Sequence, residues 1–295
     1  MITLNEYVRN RFGRKLYRVA INGGFTCPNR DGTLGDRGCI FCSGSGSGDF
    51  AEDAGFSVRE QIERGKARIR SKLPENGGLI AYFQAFTNTY GSVERLRELY
   101  FAAADHPEVE VVSIATRPDC LPPEVISLLE EVNRIRPVWV ELGLQTIHEK
   151  TAEYIRRGYP LAQYDEAVRR LRSIPVDVIT HVILGLPGES REEMLETVDY
   201  VGKSGVQGIK LQLLHVLRGT DLAADYEQGK FSCMSMEEYA ELVADAVECL
   251  PTDMVIHRMT GDGSRRDLIA PLWSLDKKRV LNLLNRTLRE RGLTR

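Results

Sequence analysis

Gly23-Gly24-Phe25-Thr26-Cys27-Pro28-Asn29-Arg30-Asp31-Gly32, completed by Gly38-Cys39-Ile40-Phe41-Cys42, follows directly on the apolar run Leu16–Ile21. Cysteine thiolates are the usual iron–sulfur ligands, and a four-iron cluster ordinarily takes four of them. Three, namely Cys27, Cys39 and Cys42, would leave one iron with an open coordination position, the feature that separates a catalytic metal centre from a closed structural one. The glycines suit a backbone that wraps closely around a bulky inorganic core. Two other readings fit the same residues: a zinc site completed by a distant histidine, or ordinary thiols. Against zinc, Cys120, Cys233 and Cys249 are isolated and no second cysteine pair or Cys/His pair is evident. Those three read as small core residues.

Around this loop, strand-length apolar runs alternate with amphipathic stretches of helix length, the signature of repeated βα units. The strand candidates are Leu16–Ile21, Leu79–Phe83, Val109–Ala115, Val138–Leu144, Val176–Leu184 and Gly208–Leu214. The helix candidates are Ser57–Lys72, Val93–Ala104, Pro123–Ile135, Leu161–Ser173 and Glu192–Ser204, with helix starts at Pro122-Pro123 and at Ser190 followed by Glu193. Six such strands imply an α/β fold of the partial (β/α)6, TIM-like barrel type. In parallel barrels the reactive groups gather at the C-terminal strand ends, and every sharp motif of this chain falls there. After Pro251 the pattern changes to a strand at Met254–His257, a loop at Thr260–Arg266 and a helix over Asp276–Arg291. The reading is therefore a barrel over residues 1–250, including the cysteine loop 23–48, and a short basic α/β extension over 251–295. Ser43 to Gly48 alternates serine with glycine and reads as flexible.

A chain of 295 residues that is 42% hydrophobic can bury a full core. Its N-terminus has no charged start leading into an apolar stretch, and no run approaches the roughly 18 apolar residues of a spanning helix. The expectation is a cytoplasmic protein without membrane contact, whose cysteines serve metal or redox chemistry rather than disulfides. The net charge of −3 hides an uneven distribution. Residues 1–18 hold five basic side chains against one acidic, and residues 257–295 hold ten against four. Two basic ends could form a phosphate-binding surface, or simply be solvated helix faces.

The loop, the aromatic Phe41 just before the last cysteine and the six βα units resemble the radical-SAM superfamily. The closer resemblance is to the group typified by YhcC and YtqA, itself similar to the radical-SAM subunit of Elongator. It is carried by Gly24–Thr33, Tyr82–Tyr90, Glu141–Thr146, His181–Glu189, Lys210–His215 and Trp273–Lys277. Eleven residues rather than the commoner three separate Cys27 from Cys39, a trait of that group. The resemblance implies that Cys27, Cys39 and Cys42 hold a [4Fe–4S] cluster. It further implies that the reduced cluster cleaves S-adenosylmethionine to methionine and a 5′-deoxyadenosyl radical, with an electron donor such as flavodoxin or ferredoxin.

Related enzymes carry a Gly-Gly-Glu-like segment after the second strand for the methionyl amino group. Here Gln84, Thr87 and Asn88 stand in that region without a carboxylate. Glu141 and Gln145 share a face of the fourth strand by period-two alternation and would bind the methionyl ammonium and the ribose hydroxyls. Gly185-Leu186-Pro187 would let the backbone approach adenine. Lys210, His181 and Arg117 are the candidate catalytic residues. A lysine inside an apolar strand needs a partner or a ligand, which here is either substrate or a barrel carboxylate. Arg117 has the planar fork that suits a carboxylate or phosphate.

The substrate expected from the resemblance and the basic ends is tRNA, at a wobble-uridine side chain. Two readings compete with it: the same radical chemistry on a small metabolite or protein side chain, and a non-enzymatic zinc or redox-binding module.

Overall fold

The computed structural model describes residues 1–46, 48, 51–261 and 263–294. Ser47 of the serine–glycine stretch, Asp262 of the C-terminal loop and the basic Arg295 lie outside the described residues. The first half runs β1 (Ile2–Thr3), α1 (Leu4–Phe12), β2 (Leu16–Ile21), α2 (Val58–Ile69), β3 (Gly78–Phe83), α3 (Val93–Ala104), β4 (Val109–Thr116), α4 (Pro123–Asn133) and β5 (Val138–Gln145). The second half continues with α5 (Glu149–Tyr154), α6 (Leu161–Leu171), β6 (Asp177–Leu184), α7 (Arg191–Lys203), β7 (Gly208–Leu213), β8 (Val216–Leu217), α8 (Asp221–Glu227), α9 (Met236–Cys249), β9 (Val255–Arg258), β10 (Leu268–Ala270) and α10 (Lys277–Glu290).

Eight strands form one sheet in the order β1-β9-β7-β6-β5-β4-β3-β2, and every pairing is parallel. Helices cover its outer face, so β3 is buried along its whole length, as parallel strands covered on both faces are. Side chains of non-adjacent strands meet on the inner face: Lys210 Nζ of β7 lies 3.3 Å from Tyr82 OH of β3. Arg18 Nη2 of β2 lies 3.9 Å from Glu141 Oε1 of β5. The sheet is thus curled into a half-barrel, with β1 and β2 at its open edges, and the partial-barrel expectation holds. The expected strand near Met254–His257 is β9, which inserts between β7 and β1. The C-terminal segment therefore shares the barrel's sheet as well as extending it.

Helix α1 plugs the N-terminal end of the barrel. Val8 is buried, Tyr7 packs on Trp139 at 6.2 Å between ring centroids, and Tyr7 OH donates to Asp177 at 2.9 Å. Arg11 pairs with Asp177, at the start of β6, at 2.5 Å, and Arg14 pairs with Glu110 of β4. These two arginines are paired with acids of β6 and β4, while Arg9 on the same helix stays exposed.

Three helices carry complete capping boxes, Ser57 with Glu60, Ser190 with Glu193 and Ser235 with Glu238. The last opens α9, which together with α1, α5 and α8 lies outside the expected set. Cys249, expected in the core, is exposed at the end of α9, while Cys120 is buried as expected. Within the described part of the serine–glycine stretch, Gly46 is tied to the segment after β3: Phe86 N donates to Gly46 O at 2.8 Å. A Cβ at Gly46 would meet the Phe86 ring at 2.3 Å. Among the described residues no helix is long and apolar enough to cross a membrane.

The plug makes a testable contribution. Val8→Ala removes a fully buried group and should lower unfolding free energy by about 1.5–3 kcal/mol, whereas the exposed Arg9→Ala should cost less than about 0.5. Urea denaturation of the two variants checks this.

Candidate active site

Cys27, Cys39 and Cys42 are half-buried thiols that line one cavity of about 200 Å³ at the C-terminal ends of the strands. The loop carrying them is stitched at several points. Arg30 N and Asp31 N donate to Cys27 O at 2.8 and 3.2 Å, and Cys42 N donates to Cys39 O at 3.1 Å. The Arg30 guanidinium donates to Cys42 O and Ser43 O at 2.9 and 2.7 Å. It lies where a Cβ of Gly38 would stand, at 2.7 Å, and Gly38 has φ +74°, so this turn requires glycine. Ile40 is bonded to Ile155 O on one side and to Leu222 N of α8 on the other.

Asn29, 5% exposed, holds the loop from below. Its Nδ2 donates to Arg156 O and Arg157 O at 2.7 and 3.2 Å and approaches Cys39 Sγ at 3.4 Å. Burial, then the neighbouring Cys42 thiol, pushes Cys39 up to about 12. Metal ligation takes the thiolate, so a bound cation would have to offset this burial. Three convergent thiols, an N–H donor at one sulfur and a loop built on carbonyl-bound arginines fit an iron–sulfur core. Asn29 lay inside the quoted motif; its role follows only from the three-dimensional contact.

Arg117 lines the cavity, yet its fork is already engaged. Nε and Nη2 pair with Asp119 at 2.9 and 2.7 Å, Nη1 donates to Arg157 O at 2.9 Å, and the guanidinium sits 5.1 Å above the Tyr159 ring. It braces the segment beneath Cys39 rather than offering a free anion site. The buried Arg157 likewise spends its donors on Thr146 O, Tyr159 O and Glu149.

The cavity floor is a polar network centred on Glu141, which has no solvent exposure. Its Oε1 accepts from Ser113 Oγ at 2.8 Å, and its Oε2 accepts from His181 Nε2 at 2.7 Å and from Lys210 Nζ. Gln212 Nε2 donates to His181 Nδ1 at 3.0 Å, which assigns the histidine proton to Nε2 and leaves the ring neutral. Lys210 and His181 hold Glu141 well below the ordinary carboxylate range, overcoming the opposing effect of burial. Burial and the Lys210 charge pull His181 down to about 4, and burial with Arg18 and Arg258 draws Lys210 down to about 7. Of the two partners foreseen for Lys210, substrate or a barrel carboxylate, the carboxylate is present.

Gln84, Thr87, Glu141, Gln145, His181, Lys210 and Arg117 thus share one cavity with the three cysteines. Glu141 faces it with both oxygens bonded to partners on neighbouring strands, so it anchors the floor. Gln145, at φ +67° beyond a register shift in β5, reaches the rim. Asn88 does not reach it: fully buried, its Nδ2 donates to Ala115 O at 2.9 Å and ties the segment after β3 to β4. Gly185, Leu186 and Pro187 are not part of the wall either. Leu186 is packed in an apolar cluster, and a Cβ at Gly185 would meet Met234 at 2.8 Å.

A cysteine-lined cavity over a polar floor, at the C-terminal mouth of an open parallel barrel, defines a metallocofactor enzyme. The Radical SAM superfamily description matches residues 27–201 and the Radical SAM C-terminal domain residues 206–290. YtqA of Bacillus subtilis is 47% identical over 290 residues, covering 98% of this chain and 90% of YtqA. YhcC of Escherichia coli is 36% identical over 284 residues, covering 96% and 90%. A tRNA uridine(34) acetyltransferase of Methanocaldococcus jannaschii is 27% identical over 145 residues, 47% of this chain and 26% of that protein. Among solved structures, archaeal Elp3 of Methanocaldococcus infernus superposes with a TM-score of 0.71 at 18% identity, covering 95% of this chain and 64% of that one.

The chain belongs to the radical SAM superfamily and is a radical S-adenosylmethionine enzyme, using a [4Fe–4S] cluster and S-adenosylmethionine. The reading of the cysteines as a non-enzymatic zinc or redox module is thereby replaced.

The floor network carries a pH signature. A folded-state His181 pulled to about 4 binds fewer protons than its unfolded counterpart near 6.5, so stability is full above about pH 6.5 and is lost as pH falls toward 4. Between pH 7 and 5 the loss attributable to His181 should be about 2 kcal/mol. Urea midpoints across that range should fall less steeply in His181→Asn; an identical slope would contradict the assignment.

Proposed function

We propose that Cys27, Cys39 and Cys42 hold the cluster and that the enzyme modifies the side chain of the wobble uridine of tRNA. The observation that carries the first part is the convergence of these three thiols on one cavity above the Glu141 floor. When bound, the cluster supplies the electron that reductively cleaves S-adenosylmethionine. The chain's own residues do the rest. Asn29, Arg30 and Arg117 fix the loop, and Gln84, Thr87 and Gln145 offer polar groups to S-adenosylmethionine. Lys210 and His181 hold the Glu141 carboxylate that forms the floor.

The tRNA reading is supported by the similarity to a tRNA uridine(34) acetyltransferase and by exposed basic side chains of the C-terminal segment. Arg265, Arg266, Lys278 and Arg279 are exposed on segments flanking the 3-10 turn Leu272–Leu275, whose Ser274 meets His215 behind β7 at 3.0 Å. With Arg11 and Arg14 paired to Asp177 and Glu110, the proposed phosphate-facing surface is the C-terminal one. A one-electron donor such as flavodoxin or ferredoxin completes the system.

Nucleoside analysis of tRNA from cells with and without the gene tests this. A hypermodified uridine should be replaced by its precursor, and restored by the wild-type gene but not by Cys39→Ala. Unchanged profiles would sink the tRNA assignment. Alanine at Arg265, Arg266, Lys278 and Arg279 together should weaken tRNA binding and flatten its salt dependence by about one unit of slope for each phosphate no longer neutralised.

A further inference from the structure

Behind Phe41 and Cys42 the cysteine cavity opens into a second chamber of about 310 Å³, sharing Tyr82, Gln84, Gln212 and Arg258 with the first. Its distinctive wall is Arg18, which points inward from the middle of β2. Arg18 Nε and Nη2 are shut off from solvent and have no hydrogen-bond partner. The nearest carboxylate oxygen to Nη2, on Glu141, stands 3.9 Å away, beyond hydrogen-bond reach and already bonded to Ser113. The guanidinium lies 5.7 Å from the Tyr82 ring centroid, which orients it without satisfying its donors.

The charge balance points the same way. Arg18, Arg258 and Lys210 bring three cationic side chains to these chambers, and Glu141, the single carboxylate among the described residues lining them, is bonded to Lys210. Arg30, Arg117 and Arg157, also on the walls, are occupied with Cys42 O, Asp119 and Glu149. Arg18 and Arg258 also depress the proton affinity of Lys210, as nearby positive charge does. Buried guanidinium donors without acceptors, as on Arg18, are costly, and a planar fork is matched by a carboxylate or phosphate.

We propose that Arg18 and Arg258 form an anion clamp that holds a carboxylate or phosphate group of the substrate inside the barrel, next to Cys42. The clamp rests on the reading of the cysteine cavity as the reaction site and narrows the substrate to one carrying an acidic group close to the reacting carbon. A neutral substrate would leave Nε and Nη2 of Arg18 without an acceptor.

The test uses anaerobically reconstituted holoenzyme. Sodium acetate and sodium phosphate are titrated separately against its thermal midpoint at constant ionic strength in chloride, with and without S-adenosylmethionine, for wild type, Arg18→Met, Arg18→Lys and Arg258→Met. The wild type should show a saturable stabilisation by at least one anion that persists when S-adenosylmethionine is present. Both methionine variants should bind that anion about tenfold or more weakly, and Arg18→Lys, charged but forkless, should fall between. The stronger of the two anions identifies carboxylate or phosphate. Equal titrations in all four proteins would overturn the clamp. So would loss of the wild-type effect on adding S-adenosylmethionine, because the clamp would then belong to the methionyl carboxylate of that cofactor. Cluster absorbance and wild-type S-adenosylmethionine cleavage, read in the same samples, report separately on the cysteine site.

Discussion

A carboxylate with no solvent exposure, Glu141, sits at the centre of the curled sheet, and the organisation of the inner face depends on keeping it ionised. Ser113 of β4, His181 of β6 and Lys210 of β7 converge on it, and Arg18 of β2 approaches from the far edge. An unpaired buried carboxylate would be prohibitively costly, so the strands that supply its partners are held in one register and one curvature. Truncating Lys210 alone would leave a bare charge in the barrel, whereas the intact network satisfies both carboxylate oxygens. The same bonds close the floor of the cavity, so packing and site have a common origin.

Above that floor, the cysteine loop is a long excursion between β2 and α2 with little regular structure of its own. Its order comes from borrowed contacts: Asn29 and Arg117 to the carbonyls at Arg156 and Arg157, Ile40 to Ile155 and Leu222, and Arg30 back onto Cys42 and Ser43. Arg156 adopts φ +56°, a conformation that non-glycine residues hold only where surroundings demand it. That turn presents the carbonyls to the loop. The geometry of the thiols is therefore set by the segment after β5 as much as by the loop, and a fault there would be felt at Cys39.

The six central strands were legible within a residue or two because each is a predominantly apolar run, interrupted only where the inner face carries the site, as burial on both faces of a parallel sheet requires. The cysteine motif was equally legible, since its residue types admit few chemistries. Two-residue β1 carries no periodicity to read, and β9 is placed in the sheet only by pairing with β7 and β1. Helix α9 did carry a signal, the Ser235 and Glu238 box ahead of an amphipathic run. Site roles were harder. Glu141 and Lys210 are 69 positions apart, and Arg18 counted as one more basic terminal residue although it is an inward charge on an apolar strand, as Lys210 is. Asn88 and Gly185–Pro187 follow strand ends as ligand-contacting residues do, yet backbone hydrogen bonding and apolar packing claim them.

The three thiols that line one cavity are the proposed seat of the cluster, and the proposed chemistry rests on that placement. Anaerobic reconstitution with iron and sulfide, followed by reduction in the presence of S-adenosylmethionine, measures this directly. The expected result is a brown protein with about four irons per chain that releases methionine and 5′-deoxyadenosine, and a Cys42→Ala variant that does neither. A colourless protein holding about one zinc per chain, with S-adenosylmethionine left intact, would contradict it.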